Sequence, residues 1–215
     1  MTSLLLTGAT GAVGARALTL ALADPRVERV VALTRRPLAD PDPETRVVLD
    51  NRVVDFQALP EDADWWQVDA VACALGTTRK LAGSPDAFRR IDHDLPVRVG
   101  ELARAAGATS YALVSSVGAD AGSRNLYLRV KGETERDLRA CGFPSFTAVR
   151  PSGLYGGTRT RQENLGDRLA GASRVLSPVL PARYRPVHVD LVARALLDAA
   201  ISAVPGEHVL ESETL

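Results

Sequence analysis

The chain has 215 residues, and 26 basic side chains balance 26 acidic ones, so no net field draws it to nucleic acid or to an anionic membrane surface. Its two cysteines, Cys73 and Cys141, lack metal-ligand spacing, and no apolar run reaches bilayer length, which argues against a disulfide framework, a zinc site or a membrane span. The expectation is one domain over residues 1–215 with a small-molecule partner and a cytoplasmic location, because the first strand starts too early to leave room for a targeting segment.

Leu4-Leu5-Leu6 reads as a buried strand running into Thr7-Gly8-Ala9-Thr10-Gly11-Ala12-Val13-Gly14. A helical stripe of Val13, Ala17, Leu20 and Ala21 follows at once, and Asp24-Pro25 stops it. A strand that ends in a glycine turn and opens a helix aims bare N–H groups and the positive end of the helix dipole at one spot, which suits a phosphate. There Gly8 permits the sharp turn, Gly11 lets a pyrophosphate approach the backbone, and Gly14 lets the helix pack closely on the strand. Val27 to Thr34 is the second strand, apolar from Val30 to Leu33 as a parallel strand covered on both faces must be. At its carboxyl end, where a dinucleotide-binding fold meets the adenosine ribose, stand Arg35 and Arg36. Forked guanidinium donors suit a 2′-phosphate that a carboxylate would repel, so NADP(H) is expected over NAD.

Pro37 to Glu44 reads as an exposed loop, and Val53-Val54-Asp55-Phe56 as the end of a third strand, with Asp55 and Phe56 placed to border the adenine. Trp65 and Trp66 belong to a short helix packed on the sheet. Ala70 to Leu75 is a fourth buried strand, and Leu75, Gly76 and Thr77 lie at the edge where ligands gather in open α/β sheets. A helix with the stripe Leu95, Val99, Leu102 and Ala106 leads to a fifth strand, Tyr111 to Val114, which ends at Ser115-Ser116. A helix from Asn125 to Ala140 and a sixth strand, Phe146 to Val149, come next. After a loop from Pro178 to Pro186, Asp190 caps a helix from Leu191 to Ala203, and a short strand spans His208 to Leu210. Strands alternating with helices imply an α/β fold with a doubly wound, mainly parallel sheet.

Tyr127 and Lys131 are four apart in a helical pattern, so they share a face, and Ser116 closes the preceding strand. A hydroxyl, a phenol and an ammonium together make a proton-transfer device for carbonyl and alcohol chemistry. A free tyrosine has a pKa of about 10, and a neighbouring cation lowers it by favouring the phenolate.

With these motifs the chain resembles the short-chain dehydrogenase/reductase superfamily, in its atypical or extended branch, over nearly its whole length. The likeness rests on the glycine turn, on Ser115-Ser116 before Tyr127-x-x-x-Lys131, and on two later segments, Val149 to Gly156 and Pro186-Val187-His188-Val189-Asp190. It is most similar to the Tat-interacting-protein-like NADPH-binding proteins, through Cys73 to Arg79, Ser115 to Asp120 and Tyr127 to Glu133. The resemblance implies a Rossmann fold, NADP(H), and a Ser116, Tyr127, Lys131 triad, with Ser115 the weaker alternative for the serine. It also implies cofactor contacts from Ser115, Lys131, Arg150, Pro151 and Leu154, and a small substrate lid over roughly residues 151–215. Asp94 stands where many extended reductases carry an asparagine, and Arg159 and Arg161 where such proteins begin to cover the nicotinamide. An oxidoreductase acting on a small carbonyl compound is the leading expectation. A non-catalytic NADPH-binding regulator and an epimerase or dehydratase with retained nucleotide are the alternatives, and a homodimer or a protein partner stays open.

Overall fold

The computed structural model describes residues 1–157 and 181–215. The strands are β1 (Thr2–Thr7), β2 (Val27–Thr34), β3 (Val48–Val53), β4 (Ala70–Cys73), β5 (Ser110–Val114), β6 (Ser145–Arg150), β7 (Leu154–Tyr155), β8 (Val187–His188) and β9 (Gly206–Glu211). Seven of them form a parallel sheet in the order β3-β2-β1-β4-β5-β6-β9, while β7 and β8 pair as a separate parallel ribbon. From β1 the chain winds outward through β2 and β3, then returns to β4 on the other side of β1. This reversal opens a crevice at the carboxyl ends of β1 and β4, where an open α/β sheet takes its ligand.

Alternation along each strand loads both faces of the sheet. Leu4, Leu6, Val30, Ala32, Ala70 and Ala72 pack against α1 (Ala12–Ala23) and α6 (Val189–Ser202). Leu5, Val31, Leu33, Val71, Tyr111 and Leu113 join Trp66, Val99 of α4 (Leu95–Ala105) and Leu138 of α5 (Leu126–Ala140) in a second core. The α/β, doubly wound parallel Rossmann-type sheet expected from the alternating pattern is therefore the fold, and no helix among the described residues is long and apolar enough to cross a membrane.

Several boundaries differ from the expected ones. The third strand stops at Val53, so Asp55 and Phe56 lie in the turn beyond it. Asp190 is not the cap of α6, which begins at Val189; the His188 ring accepts the Asp190 N–H at 3.2 Å instead. Between β4 and α4 the chain forms α2 (Arg79–Ala82), α3 (Pro85–Arg89) and a π-helical turn (Arg90–Asp94), none of which the apolar periodicity announces. Of the expected lid, the part holding Arg159, Arg161 and Pro178 lies outside the described residues.

The crossing of α1 over β1 is as tight as the backbone allows. A Cβ on Gly14 would sit 2.0 Å from the Gly8 carbonyl oxygen and 2.6 Å from its carbon, both main-chain atoms that no rotamer change can move. Gly14→Ala should therefore destabilise the protein by about 3 kcal/mol, as overpacking does, and lower the melting temperature by roughly 6–12 °C. Thermal unfolding followed by circular dichroism checks this; an unchanged midpoint would mean that α1 does not sit this close to β1.

Candidate active site

The glycine turn is built on main-chain contacts. Gly8 adopts φ +80°, and a Cβ there would lie 2.4 Å from the Ala74 carbonyl oxygen, so the turn rests directly on the end of β4. The Gly11 N–H donates to Gly8 O at 2.9 Å, and α1 opens after Gly11 with no side-chain cap on its first-turn N–H groups, those of Ala12 and Val13 among them. A Cβ on Gly11 would meet Gly8 O at 3.3 Å, a tight contact with a main-chain atom, and no other atom within 4 Å, so the far side of the turn is open. Thr10 is exposed beside it and Val13 is buried beneath. Unsatisfied N–H groups at a helix start, beside space kept open by glycine, fit a dinucleotide pyrophosphate.

Pairing of Thr7 with Leu33 brings the ends of β1 and β2 to the same edge. Arg35 and Arg36 follow there, both exposed, and neither has an ion-pair or hydrogen-bond partner among the described residues. Asp55 is exposed, and its carboxylate accepts the Gln57 N–H at 2.9 Å. Half-buried Phe56 and Leu75 pack on the second core.

The residues of the expected triad come from two pieces of chain, Ser116 from the turn after β5 and Tyr127 and Lys131 from α5. Asn125 caps α5 through the Tyr127 N–H at 2.9 Å, and one turn on, Lys131 is buried with its ammonium 3.4 Å from the Val114 carbonyl at the end of β5. The half-buried Tyr127 ring packs on Phe88 of α3, with centroids 5.7 Å apart. The two serines are not equivalent. Ser115 Oγ donates to Glu135 at 2.5 Å, whereas Ser116 Oγ has only a 3.4 Å contact to Val117 O, too long to hold a hydroxyl firmly. Gly132 lets the chain after Ser116 lie against α5, because a Cβ there would stand 2.2 Å from the Ala121 nitrogen.

Two buried carboxylates surround this face. Asp92, in the π-helical turn, is 1 % exposed; its Oδ2 accepts the Thr77 N–H at 2.8 Å and its Oδ1 lies 2.9 Å from Lys131 Nζ. Gly76 lies alongside, for a Cβ there would fall 3.4 Å from Asp92 Oδ1 and 3.6 Å from Lys131 Nζ. Burial pulls the Lys131 pKa down, but the Asp92 carboxylate and the Tyr127 oxygen outweigh it and hold the ammonium above its ordinary value. Glu135, four residues beyond Lys131, takes two bonds from the Arg150 guanidinium at 2.9 and 2.7 Å, and Arg150 also reaches Glu211 at 3.1 Å. The Arg150 side chain, expected among the cofactor contacts, is thus spent within the protein. Pro151 O accepts the Val117 N–H at 3.0 Å, and Leu154 lies in β7 beside Val187, so both brace the site through the main chain.

Asp94 is not the acid that meets the lysine. Its half-exposed side chain bonds His93 Nδ1 at 2.7 Å and lies 3.9 Å from Arg89, while Asp92 holds the inner position. No local pattern in the sequence marks Asp92, because the π-helical turn that carries it interrupts the regular helical phase. Glu135 was within reach, since a fourth-residue spacing from Lys131 puts it on the same face.

A seven-stranded parallel sheet with an uncapped glycine turn at its switch point is the architecture of a dinucleotide-binding α/β protein. The chain belongs to the NAD(P)H-binding family, whose model matches residues 8–200. It is 33 % identical over 219 residues to protein fmp52, mitochondrial, of Emericella nidulans, covering 99 % of this chain and 93 % of that one. To protein HTATIP2 of Rattus norvegicus it is 35 % identical over 216 residues, with coverages of 99 % and 87 %. Among solved structures, MoeE5 in complex with UDP-glucose and NAD matches with a TM-score of 0.73 at 24 % identity, over 97 % of this chain and 75 % of that one, a likeness of fold.

The space at Gly11 yields a test of the glycine turn. Gly11→Val should keep the circular dichroism spectrum of the folded protein while weakening NADPH binding about 100-fold or more, roughly 3 kcal/mol, by calorimetric titration. Normal binding by a folded variant would place the pyrophosphate elsewhere.

Proposed function

We propose that this protein is an NADPH-dependent oxidoreductase that reduces a small carbonyl compound to an alcohol. The observation that carries the reading is the buried, charged Lys131 one helical turn from Tyr127; the Ser116 hydroxyl, with only a 3.4 Å contact to Val117 O, supports it. When bound, NADPH supplies the hydride that reaches the carbonyl carbon. Ser116 Oγ–H donates a hydrogen bond to the carbonyl oxygen and fixes its direction. Tyr127 Oη–H gives its proton to that oxygen as the carbon–oxygen double bond becomes single, and the resulting phenolate is stabilised by the Lys131 ammonium until solvent returns a proton. Lys131 is also placed to hold the nicotinamide ribose, and Leu75, Gly76 and Thr77 to line the cofactor. The cytoplasmic location belongs to this reading as well; the word mitochondrial belongs to the fungal relative's name.

The free guanidinium groups of Arg35 and Arg36 support a preference for the 2′-phosphate. Charge-assisted hydrogen bonds of roughly 1.5–3 kcal/mol should make NADPH bind about 10- to 100-fold more tightly than NADH. Calorimetry on the native chain and on an Arg35→Ala, Arg36→Ala double variant measures this. Equal affinities, or a double variant that keeps the full preference, would remove the arginines from the site.

Activity is tested with a panel of carbonyl compounds followed by NADPH absorbance. Tyr127→Phe should slow reduction about a hundredfold or more with little change in NADPH affinity. A normal rate would take the proton-donor role from Tyr127. No turnover across the panel, with NADPH binding intact, would favour a non-catalytic NADPH-binding regulator.

A further inference from the structure

We propose that Asn51 is a positioning residue for cofactor choice: its side-chain amide ties down the loop that carries Arg35 and Arg36, and so sets the two guanidinium groups for the adenosine 2′-phosphate. The proposal rests on the reading of Arg35 and Arg36 as the groups that select NADPH, and it adds the residue through which they are held.

Arg35 and Arg36 stand just past β2, exposed and without a partner among the described residues. Long cationic side chains on a loose loop sample many arrangements, and gripping a phosphate then carries the entropy of ordering both the loop and the rotamers. A backbone kept in one path removes the loop's share of that cost. Among the described residues, the Leu38 N–H is the one group of residues 35–41 that makes a hydrogen bond, and it donates to Asn51 Oδ1 at 2.8 Å.

Asn51 lies on β3 directly beside Ala32 of β2. Its Nδ2 donates to Ala32 O at 2.9 Å and to Thr34 Oγ1 at 2.8 Å, both ahead of the arginines, while Oδ1 takes the Leu38 N–H behind them. One planar amide therefore spans the base of the loop, with both of its N–H groups and a carbonyl lone pair engaged. These partners also settle which end of the amide is oxygen, because only this orientation offers a donor to Ala32 O and an acceptor to the Leu38 N–H. The strand neighbours Asp50 and Arg52 point to the other face of the sheet, where Asp50 pairs with Arg52 and with Arg29.

Packing supplies a second anchor, since half-buried Leu38 rests on the core beneath α1 and α6. That contact is apolar and non-directional, so it keeps the loop near the sheet without setting the angle at which Arg35 and Arg36 leave it. The three amide bonds are directional and set that angle. NADH carries no 2′-phosphate for the arginines to meet, so loosening the loop leaves its binding as it was, while NADPH loses charge-assisted contacts. A merely structural role for Asn51 would weaken both nucleotides by the same factor.

Asn51→Ala removes all three bonds and leaves Leu38 on the core. NADPH and NADH are titrated by calorimetry into the native chain, into Asn51→Ala and into the Arg35→Ala, Arg36→Ala double variant, each shown to be folded by circular dichroism. The ratio of NADPH to NADH affinity should fall about fivefold or more from the native chain to Asn51→Ala, chiefly through NADPH. A smaller fall, an equal loss of both nucleotides included, overturns the proposal. Should Asn51→Ala fail to fold, Asn51→Thr is held to the same criterion, since a β-branched residue suits a strand and its hydroxyl is too short to span the loop. A native preference that the arginine double variant loses and the Asn51 variant keeps overturns this proposal alone. Equal affinities in the native chain remove the arginines from the site and this proposal with them.

Discussion

The contact between the Gly8 carbonyl and the α carbon of Gly14 is the constraint on which the rest of this molecule is built. It lets α1 cross β1 at backbone distance, and that approach turns the first N–H groups of the helix towards the carboxyl edge of the sheet. Once α1 is seated there, Arg16 can reach Asp190 at 2.8 Å, which joins α1 to α6, and the apolar faces of the two helices close over Leu4, Leu6 and Val30. The same glycine turn rests on the Ala74 carbonyl, so the end of β4 and the crevice beside it are placed by main-chain contact. The uncapped start of α1 and half of the hydrophobic core thus share one cause, the absence of two side chains.

Helix α5 is governed by charge. Lys131 ties it to the π turn and, through Asp92 and the Thr77 N–H, to the loop after β4. Glu135 ties it to Ser115 and to Arg150, the ends of β5 and β6. Buried pairs of this kind do little for net stability against an apolar alternative, but losing one partner costs about 3–5 kcal/mol, so each rejects other packings of the helix. The helix that presents the phenol is held in one rotation and one height by these pairs. Ser116, next to Ser115, has only a 3.4 Å contact to Val117 O.

Much of the fold was legible. Apolar runs without alternation announced parallel strands covered on both faces, and the order of elements announced the doubly wound sheet, because burial on two sides leaves no polar positions to hide. The glycine spacing and the Tyr127 to Lys131 interval are local, so they survive translation into structure. The ends of elements were less legible, as β3 stopping at Val53 and His188 displacing Asp190 at the start of α6 show. Those limits depend on which backbone groups find partners in space, and neighbours in sequence do not report that.

The sequence by itself determined the glycine turn before α1, the parallel α/β sheet and the shared face of Tyr127 and Lys131, for each depends on residues within a turn or a strand of one another. Only the tertiary structure decided which acid meets the lysine, which serine is free and where Arg150 spends its charge. Asp92 and Lys131 are brought together by the packing of a π turn against α5, and Ser115, Glu135, Arg150 and Glu211 by four elements meeting at one end of the sheet. Two residues separate Asp92, which meets Lys131, from Asp94, which does not, and the π turn that sets them apart is fixed by the tertiary packing.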